Sequence, residues 1–379
     1  SDGGWPHEDP HRTPVRAVSV LRRAREATYT AARLRRMAAA LRALPAAARA
    51  NGVSVPAAYR RSAALQRRHG FTVHETVGFG LLAPDAPDVP RQLSKREAIR
   101  LQTRLNPEVL DAVTEDKVVF DAVCRSAGLP VAPTVGVLHR GGAGWMDGTV
   151  GGLPADRWHE ALGALRGEFI IKPSNGCHGD DVRAIVATDS GIKDVVAGPT
   201  DARTLAAELA ALPAPSWMVQ RRLRNHPALD GLGADSAVHT ARIVTLIDGA
   251  EPRVLFAYWR IATRGVVDNF ADGARGSMMA ELDPATGAIR RVVHSDGARV
   301  RELPAHPNGR PWDAWSPPGW GEAVALAVRA ANAVRPLRTV GWDVAFTPDG
   351  PVLIEGNMWW DNPIVTPARG LLPRELYSP

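Results

Sequence analysis

Val340-Gly-Trp-Asp-Val-Ala-Phe-Thr-Pro-Asp-Gly-Pro-Val-Leu-Ile-Glu-Gly-Asn357 consists of two apolar runs around a turn. Pro348-Asp349-Gly350 predicts a three-residue hairpin loop, with Gly350 supplying the left-handed backbone position. That loop pairs Thr347 with Pro351 and sets Asp343 directly opposite Glu355. Trp342, Val344, Phe346, Val352 and Ile354 then share one face, which reads as core. Asp343, Glu355 and Asn357 share the other. A two- or four-residue loop would send one acid into the core. Two carboxylates and an amide oxygen converging on one spot suit a hard cation such as Mg2+, whose other ligands come from water and phosphate.

The 379-residue chain is 45% hydrophobic and 23% charged. That supports a sizeable core in two or three subdomains and argues against wholesale disorder. Net charge is +6 and nearly all the cations are arginine, which favours anionic partners. Two cysteines, Cys124 and Cys177, exclude a disulfide framework and a cysteine-rich zinc site. Their scarcity, the lack of an apolar run long enough to span a bilayer and the lack of a leader-like segment make a cytoplasmic location the expectation.

Residues 1–15 read as a tail and 16–91 as an Arg-rich helical region. From 16 to 68 the chain holds thirteen arginines and one acid, Glu26, in an Ala/Leu background. Helices are expected at 17–44 and 56–69, broken around Pro45 and Asn51-Gly52. Either the arginines are the solvated face of a helical cap, or they form an arm for an acidic partner, RNA or anionic lipid. Next come a region before the catalytic core (92–152), a smaller subdomain (153–224) and a larger one (225–379). Residues 92–129 read as helical, with a Ser94/Glu97 capping box and a closing Gly128. Strands are expected at 134–138, 168–173, 181–188, 217–220, 239–248, 252–263 and 289–294. Helices are expected at 156–165, 200–212 and 320–335. The fold class is α+β.

Lys172 closes a buried strand and precedes Ser174, Asn175, Gly176 and Gly179. The glycines would let backbone N–H groups approach phosphate oxygens while the lysine supplies a point charge. Arg242 and Arg260 each interrupt an apolar strand, where an arginine needs an anionic partner. Cys177 and His178 are adjacent, but nothing in the sequence supports a Cys–His nucleophile. No GxSxG pattern is present.

Phe169 to Gly179, Thr240 to Thr245, Asp268 to Gly273, and Gly341-Trp-Asp through Glu355-Gly-Asn357 together resemble an ATP-grasp enzyme, most closely the sugar-transfer-associated branch. The resemblance spans roughly residues 92–365. It implies two α+β subdomains gripping ATP, preceded here by the Arg-rich helical extension. Lys117 and Lys172 would reach the α- and β-phosphates, under a flap from Ser174 to Gly179. Gln220, Arg221 and the backbone to Leu223 would read adenine. Arg242 and Arg260 would face the γ-phosphate and an acyl phosphate, with Asn269 near the transferred group. Asp343, Glu355 and Asn357 would hold two Mg2+ ions. Members often carry an acid for the ribose after the adenine-reading segment. This chain has Arg221-Arg-Leu-Arg-Asn-His226 there, and Asp230 is the nearest acid.

The implied activity is an ATP-dependent ligase that joins a small-molecule or peptide carboxylate to an amine through an acyl phosphate. A kinase on the same scaffold and a non-catalytic nucleotide-binding protein are the alternatives.

Overall fold

A computed structural model of the chain describes residues 37–83, 93–142, 144–149, 151–176, 179, 181–266, 278–296 and 299–361. Helix α1 occupies the described residues 37–50, followed by α2 (Val55–His69) and α3 (Val73–Gly78). The expected break at Pro45 does not occur. Leu44, Ala47 and Ala48 are fully buried against Ala58, Val73 and Val77. Burial of that face holds the helix together across the missing N–H. The turn comes instead at Asn51-Gly52, where Gly52 has φ of 67°. Thr72 and Glu75 form a capping box on α3. Glu75 also accepts from the backbone N–H of Lys95 at 2.6 Å, tying these three helices to the start of the fourth.

Helix α4 (Lys95–Leu105) starts on the Ser94/Glu97 capping box that the sequence predicts. The rest of 92–129 is broken rather than continuous. Asn106 leaves the helix before Pro107, as steric conflict with a following proline favours. A 3-10 turn, α5 (Ala112–Glu115) and α6 (Lys117–Ser126) come next. Asp116 caps α6 by accepting from Val118 and Val119, which fixes Lys117 at its first turn.

The smaller sheet contains β1 (Thr134–His139), β2 (Trp145–Met146), β3 (Gly167–Pro173), β4 (Arg183–Thr188), β5 (Gly191–Asp194), β6 (Gly198–Thr200) and β7 (Ser216–Arg221). Their order is β2-β1-β7-β3-β4-β5-β6, every pair antiparallel. β1 and β2 therefore belong to this sheet, although the sequence reading put them in the preceding region. Helices α7 (Trp158–Gly163) and α8 (Ala202–Ala211) cover one face, packing on Phe169, Ile171, Trp217 and Val219. Strand alternation turns Ile170, Lys172, Met218 and Gln220 to the opposite face.

The larger sheet contains β8 (Thr240–Leu246), β9 (Arg253–Ile261), β10 (Met278–Leu282), β11 (Ile289–Ser295), β12 (Val300–Glu302), β13 (Thr339–Thr347) and β14 (Gly350–Asn357). Their order is β12-β11-β10-β9-β8-β13-β14, again antiparallel. Helix α9 (Trp320–Ala333) and Phe120 of α6 pack on one face, over Ile243, Trp259, Trp342, Val344 and Leu353. On the other face, Val244, Leu246, Phe256 and Tyr258 meet Leu101 and Leu105 of α4 and Trp360. That cover is partial. Beyond those apolar contacts the same face carries Arg242 and Asp343, both buried, and Arg260, partly buried.

The hairpin reaches the expected pairing by another route. Thr347 pairs with Gly350, so the loop has two residues, Pro348 and Asp349. Ile354 is then an extra, unpaired residue between the Val344–Leu353 and Asp343–Glu355 pairs. This bulge restores the face that the shorter loop would have inverted. Leu353, rather than Val352 or Ile354, therefore fills the core position opposite Val344.

Candidate active site

The site grows from three adjacent strands. Register sets Arg242 of β8 opposite Asp343 of β13, and Arg260 of β9 opposite Thr240 of β8. Arg242 donates from Nε and Nη2 to the two Asp343 oxygens, the latter at 2.8 Å. Arg260 Nη2 donates to Asp343 Oδ2 and Thr240 Oγ1, each at 2.6 Å. Asp343 is 1% exposed. Burial alone would raise its pKa, yet the two guanidiniums hold it well below the usual carboxylate range. The same pairing keeps Arg242 charged despite burial.

Glu355 is half-buried and lies between cations. Its oxygens are 3.9 Å from Arg242 Nη2 and 3.8 Å from Lys117 Nζ. Asn357 Nδ2 approaches Glu355 Oε1 at 3.4 Å. Lys117 also donates to the carbonyl of Gly176 at 2.8 Å, and its backbone N–H to the Ser174 carbonyl at 2.8 Å. The first turn of α6 thus joins the glycine-bearing loop of the smaller sheet to the acids of the larger one. Lys172 is buried nearby with its pKa lowered to about 8. Desolvation is the main cause and Lys117 repulsion the second, opposed by Glu355, Asp121 and Asp343.

Other expected contacts take different roles. The Ser174 hydroxyl pairs with that of Ser216 at 2.6 Å and is buried, so it anchors the loop instead of facing a phosphate. Asn175 and Gly176 are exposed, and Gly179 has φ of 68°. Gln220 donates to Ala132 O and Thr134 Oγ1, which commits its amide to holding β1. The Arg221 guanidinium lies 4.8 Å from the centre of the Phe169 ring and donates to Arg166 O. The Arg221 backbone N–H is likewise committed, to Pro133 O at 2.8 Å. Leu223 lines a cavity of about 290 Å³ with Glu168, Arg222, Arg224, Asp230 and Asp235. Asn269, Cys177 and His178 lie outside the described residues.

Glu115 was not anticipated. It immediately precedes the Asp116 cap, and its carboxyl pKa is raised by desolvation and then by the Glu355 carboxylate. A short helical turn placing it beside Lys117 was the only available signal, and the sequence reading merged that turn into one long helix. Asp121 was also missed. It accepts from Arg125 and Thr134 and contributes to the field at Lys172. Cys124, by contrast, is buried with its thiol pushed up to about 12, which leaves it inert.

The donor set can be weighed for a divalent cation. No cluster of three His, Cys, Asp or Glu side chains suited to a metal occurs among the described residues. Three N–H donors occupy Asp343, leaving about one of its roughly four lone-pair positions. Glu355 and Asn357 retain free oxygen positions. The set fits a hard ion held mainly by Glu355 and Asn357, with phosphate and water completing its shell.

Two antiparallel sheets, a basic cleft and paired acids on the final hairpin define an ATP-grasp fold. A family described as sugar-transfer associated ATP-grasp matches residues 96–376, and the chain belongs to that family. Among solved structures it is similar to a D-alanine–D-alanine ligase from Coxiella burnetii, at 14% identity and TM-score 0.34, covering 67% of this chain and 50% of that one. It is also similar to a biotin carboxylase from Campylobacter jejuni, at 12% identity and TM-score 0.40, covering 68% and 43%. A third is the biotin carboxylase domain of a Hydrogenobacter thermophilus 2-oxoglutarate carboxylase, at 13% and 0.36, covering 66% and 41%. The chain thus spans half or less of each of these structures. No curated protein matches the sequence. ATP-dependent, ligase-type chemistry is that of the superfamily.

Proposed function

We propose that the protein joins a carboxylate to an amine, using ATP and releasing ADP and phosphate. The supporting observation is the grouping of Lys117, Lys172, Arg242 and Arg260 around Asp343 and Glu355. With Asp121 engaged by Arg125, these four cations still outnumber Asp343, Glu355 and Glu115, and the excess attracts a polyphosphate. Lys172 and Lys117 position the phosphate chain beside Ser174 to Gly176. The substrate carboxylate attacks the γ-phosphorus, the bond to the bridging oxygen breaks, and ADP leaves. The amine then attacks the acyl carbon, and phosphate leaves as the amide forms. Arg242 and Arg260, held in place by Asp343, stabilise charge on the transferred group without reorganising. A Mg2+ ion at Glu355 and Asn357 would neutralise charge on the β- and γ-phosphates. Asp230 or Asp235, at the mouth of the cavity near Leu223, would accept the ribose hydroxyls.

The test is ADP release from the full chain against pooled acids and amines, with hydroxylamine added in parallel. A carboxylate ligase accumulates a hydroxamate, because hydroxylamine traps the acyl phosphate. ADP release without hydroxamate, accompanied by a stable phosphate ester, would establish the kinase reaction instead.

A further inference from the structure

Helices α1 and α2 play no part in the cleft, yet their outer surface has an unusual composition. Arg42, Arg49, Arg60, Arg67 and Arg68 are exposed, and Arg61 is half-exposed. No acid occurs between Ala27 and His74, so none of these arginines has a local counter-charge. Arg60 and Arg67 lie two turns apart on α2, as do Arg61 and Arg68, forming adjacent rows of positive charge. Large apolar side chains are exposed beside them. Met37 and Leu41, one turn apart on α1, are 40% and 43% exposed, and Tyr59 of α2 is 42% exposed. The Tyr59 hydroxyl approaches the Leu41 carbonyl at 3.4 Å, so these side chains form one patch across the two helices. Ile99 of α4 is also 40% exposed beside exposed Arg96 and Arg100, but only the α1–α2 patch, among the described residues, joins three such side chains across two helices.

We infer that this surface docks the protein on an anionic lipid bilayer, with Met37, Leu41 and Tyr59 entering the headgroup boundary and the arginines binding lipid phosphates. Charge complementarity selects the occupant. Residues 16–36 carry seven arginines and one acid, so the sequence before the patch offers it little counter-charge. A second copy would repel it. A nucleic acid would satisfy the arginines but would leave the aliphatic side chains against phosphate, with Tyr59 as the sole stacking ring on the patch. A bilayer interface accommodates both, because arginine stems lie along the apolar boundary while their heads reach phosphate. No described helix is long and apolar enough to cross a membrane; the inference concerns contact with the bilayer surface. The inference is independent of the proposed reaction.

The test is flotation of the full-length protein with phosphatidylcholine vesicles, with and without phosphatidylserine. Binding should require the anionic lipid and weaken with salt. Reversing Arg42, Arg60, Arg67 and Arg68 to glutamate should weaken it by about a hundredfold or more, at roughly fivefold per arginine. Leu41→Ser with Tyr59→Ser should also weaken vesicle binding while leaving the circular dichroism spectrum unchanged and binding to a homopolymer RNA unaltered. Failure to float with anionic vesicles would overturn the inference. So would equal flotation with neutral vesicles, or a serine variant that binds anionic vesicles like the parent.

Discussion

Asp343 is the residue on which the site's charge balance turns, and the structure changes what its removal should do. The hairpin register marks it as a metal ligand. Its geometry makes it first the counter-charge of Arg242 and Arg260. Asp343→Asn would remove the carboxylate that the Arg242 and Arg260 guanidiniums share. Removing one partner of a buried ion pair costs about 3–5 kcal/mol. Asp343→Asn should therefore lose both ADP release and thermal stability. Glu355→Gln, at a half-exposed side chain, should lose ADP release with little change in melting temperature. Comparing melting temperatures of the two variants separates an organising carboxylate from a ligating one. Equal, small shifts in both would refute the organising role of Asp343. Neither arginine's partner could be read from the sequence, because cross-strand pairing among β9, β8 and β13 depends on tertiary order.

At the scale of elements, the sequence reading recovers what local chemistry controls. The α4 capping box, the closing Gly128 and the strand positions of β3, β8 and β13 all arise from neighbouring residues. It fails where tertiary packing decides. Pro45 lies within α1 because Leu44, Ala47 and Ala48 have a core to enter. The hairpin loop is one residue shorter than expected, and Ile354 compensates from further along β14. That agreement on Asp343 opposite Glu355 thus came from two errors that cancel. A bulge has no composition signal here, since Val352, Leu353 and Ile354 are equally apolar. The narrow fit behind Arg242 was also invisible. A Cβ at Gly341 would lie 2.8 Å from Arg242 Cδ and 3.0 Å from Trp360 Cβ. Trp360 cannot yield readily, because its indole donates to Thr339 and packs edge-on against Phe256. Gly341→Ala should therefore displace the Arg242 stem. We expect a stability loss of about 1–3 kcal/mol, together with a fall in kcat exceeding any change in nucleotide affinity. Denaturant titration and steady-state ADP release check it, and wild-type kcat would show that Arg242 tolerates the shift.

For the whole molecule, the two sheets supply different charges to one cleft, and Lys172 reports on their union. It sits on the smaller sheet, yet feels Glu355 and Asp343 on the larger one. Its folded pKa of about 8 lies below the usual lysine value of about 10.4. The unfolded chain therefore binds more protons between those limits, and stability should rise with pH across that window. Below about pH 8 the cost of the buried ammonium is present in full. A bound polyphosphate reverses the preference, since its negative charge favours the protonated lysine. Nucleotide binding should then take up almost no proton at about pH 7, where Lys172 is already charged, and close to one proton at about pH 9. Affinity should fall by up to about tenfold per pH unit above about 8. Calorimetry of ADP binding in buffers of different ionisation enthalpy measures the uptake directly. Lys172→Arg retains its charge throughout this range and should flatten the profile. A wild-type affinity that is level from about pH 7 to 9, with no proton uptake, would place the phosphates away from Lys172 and break the link between the sheets.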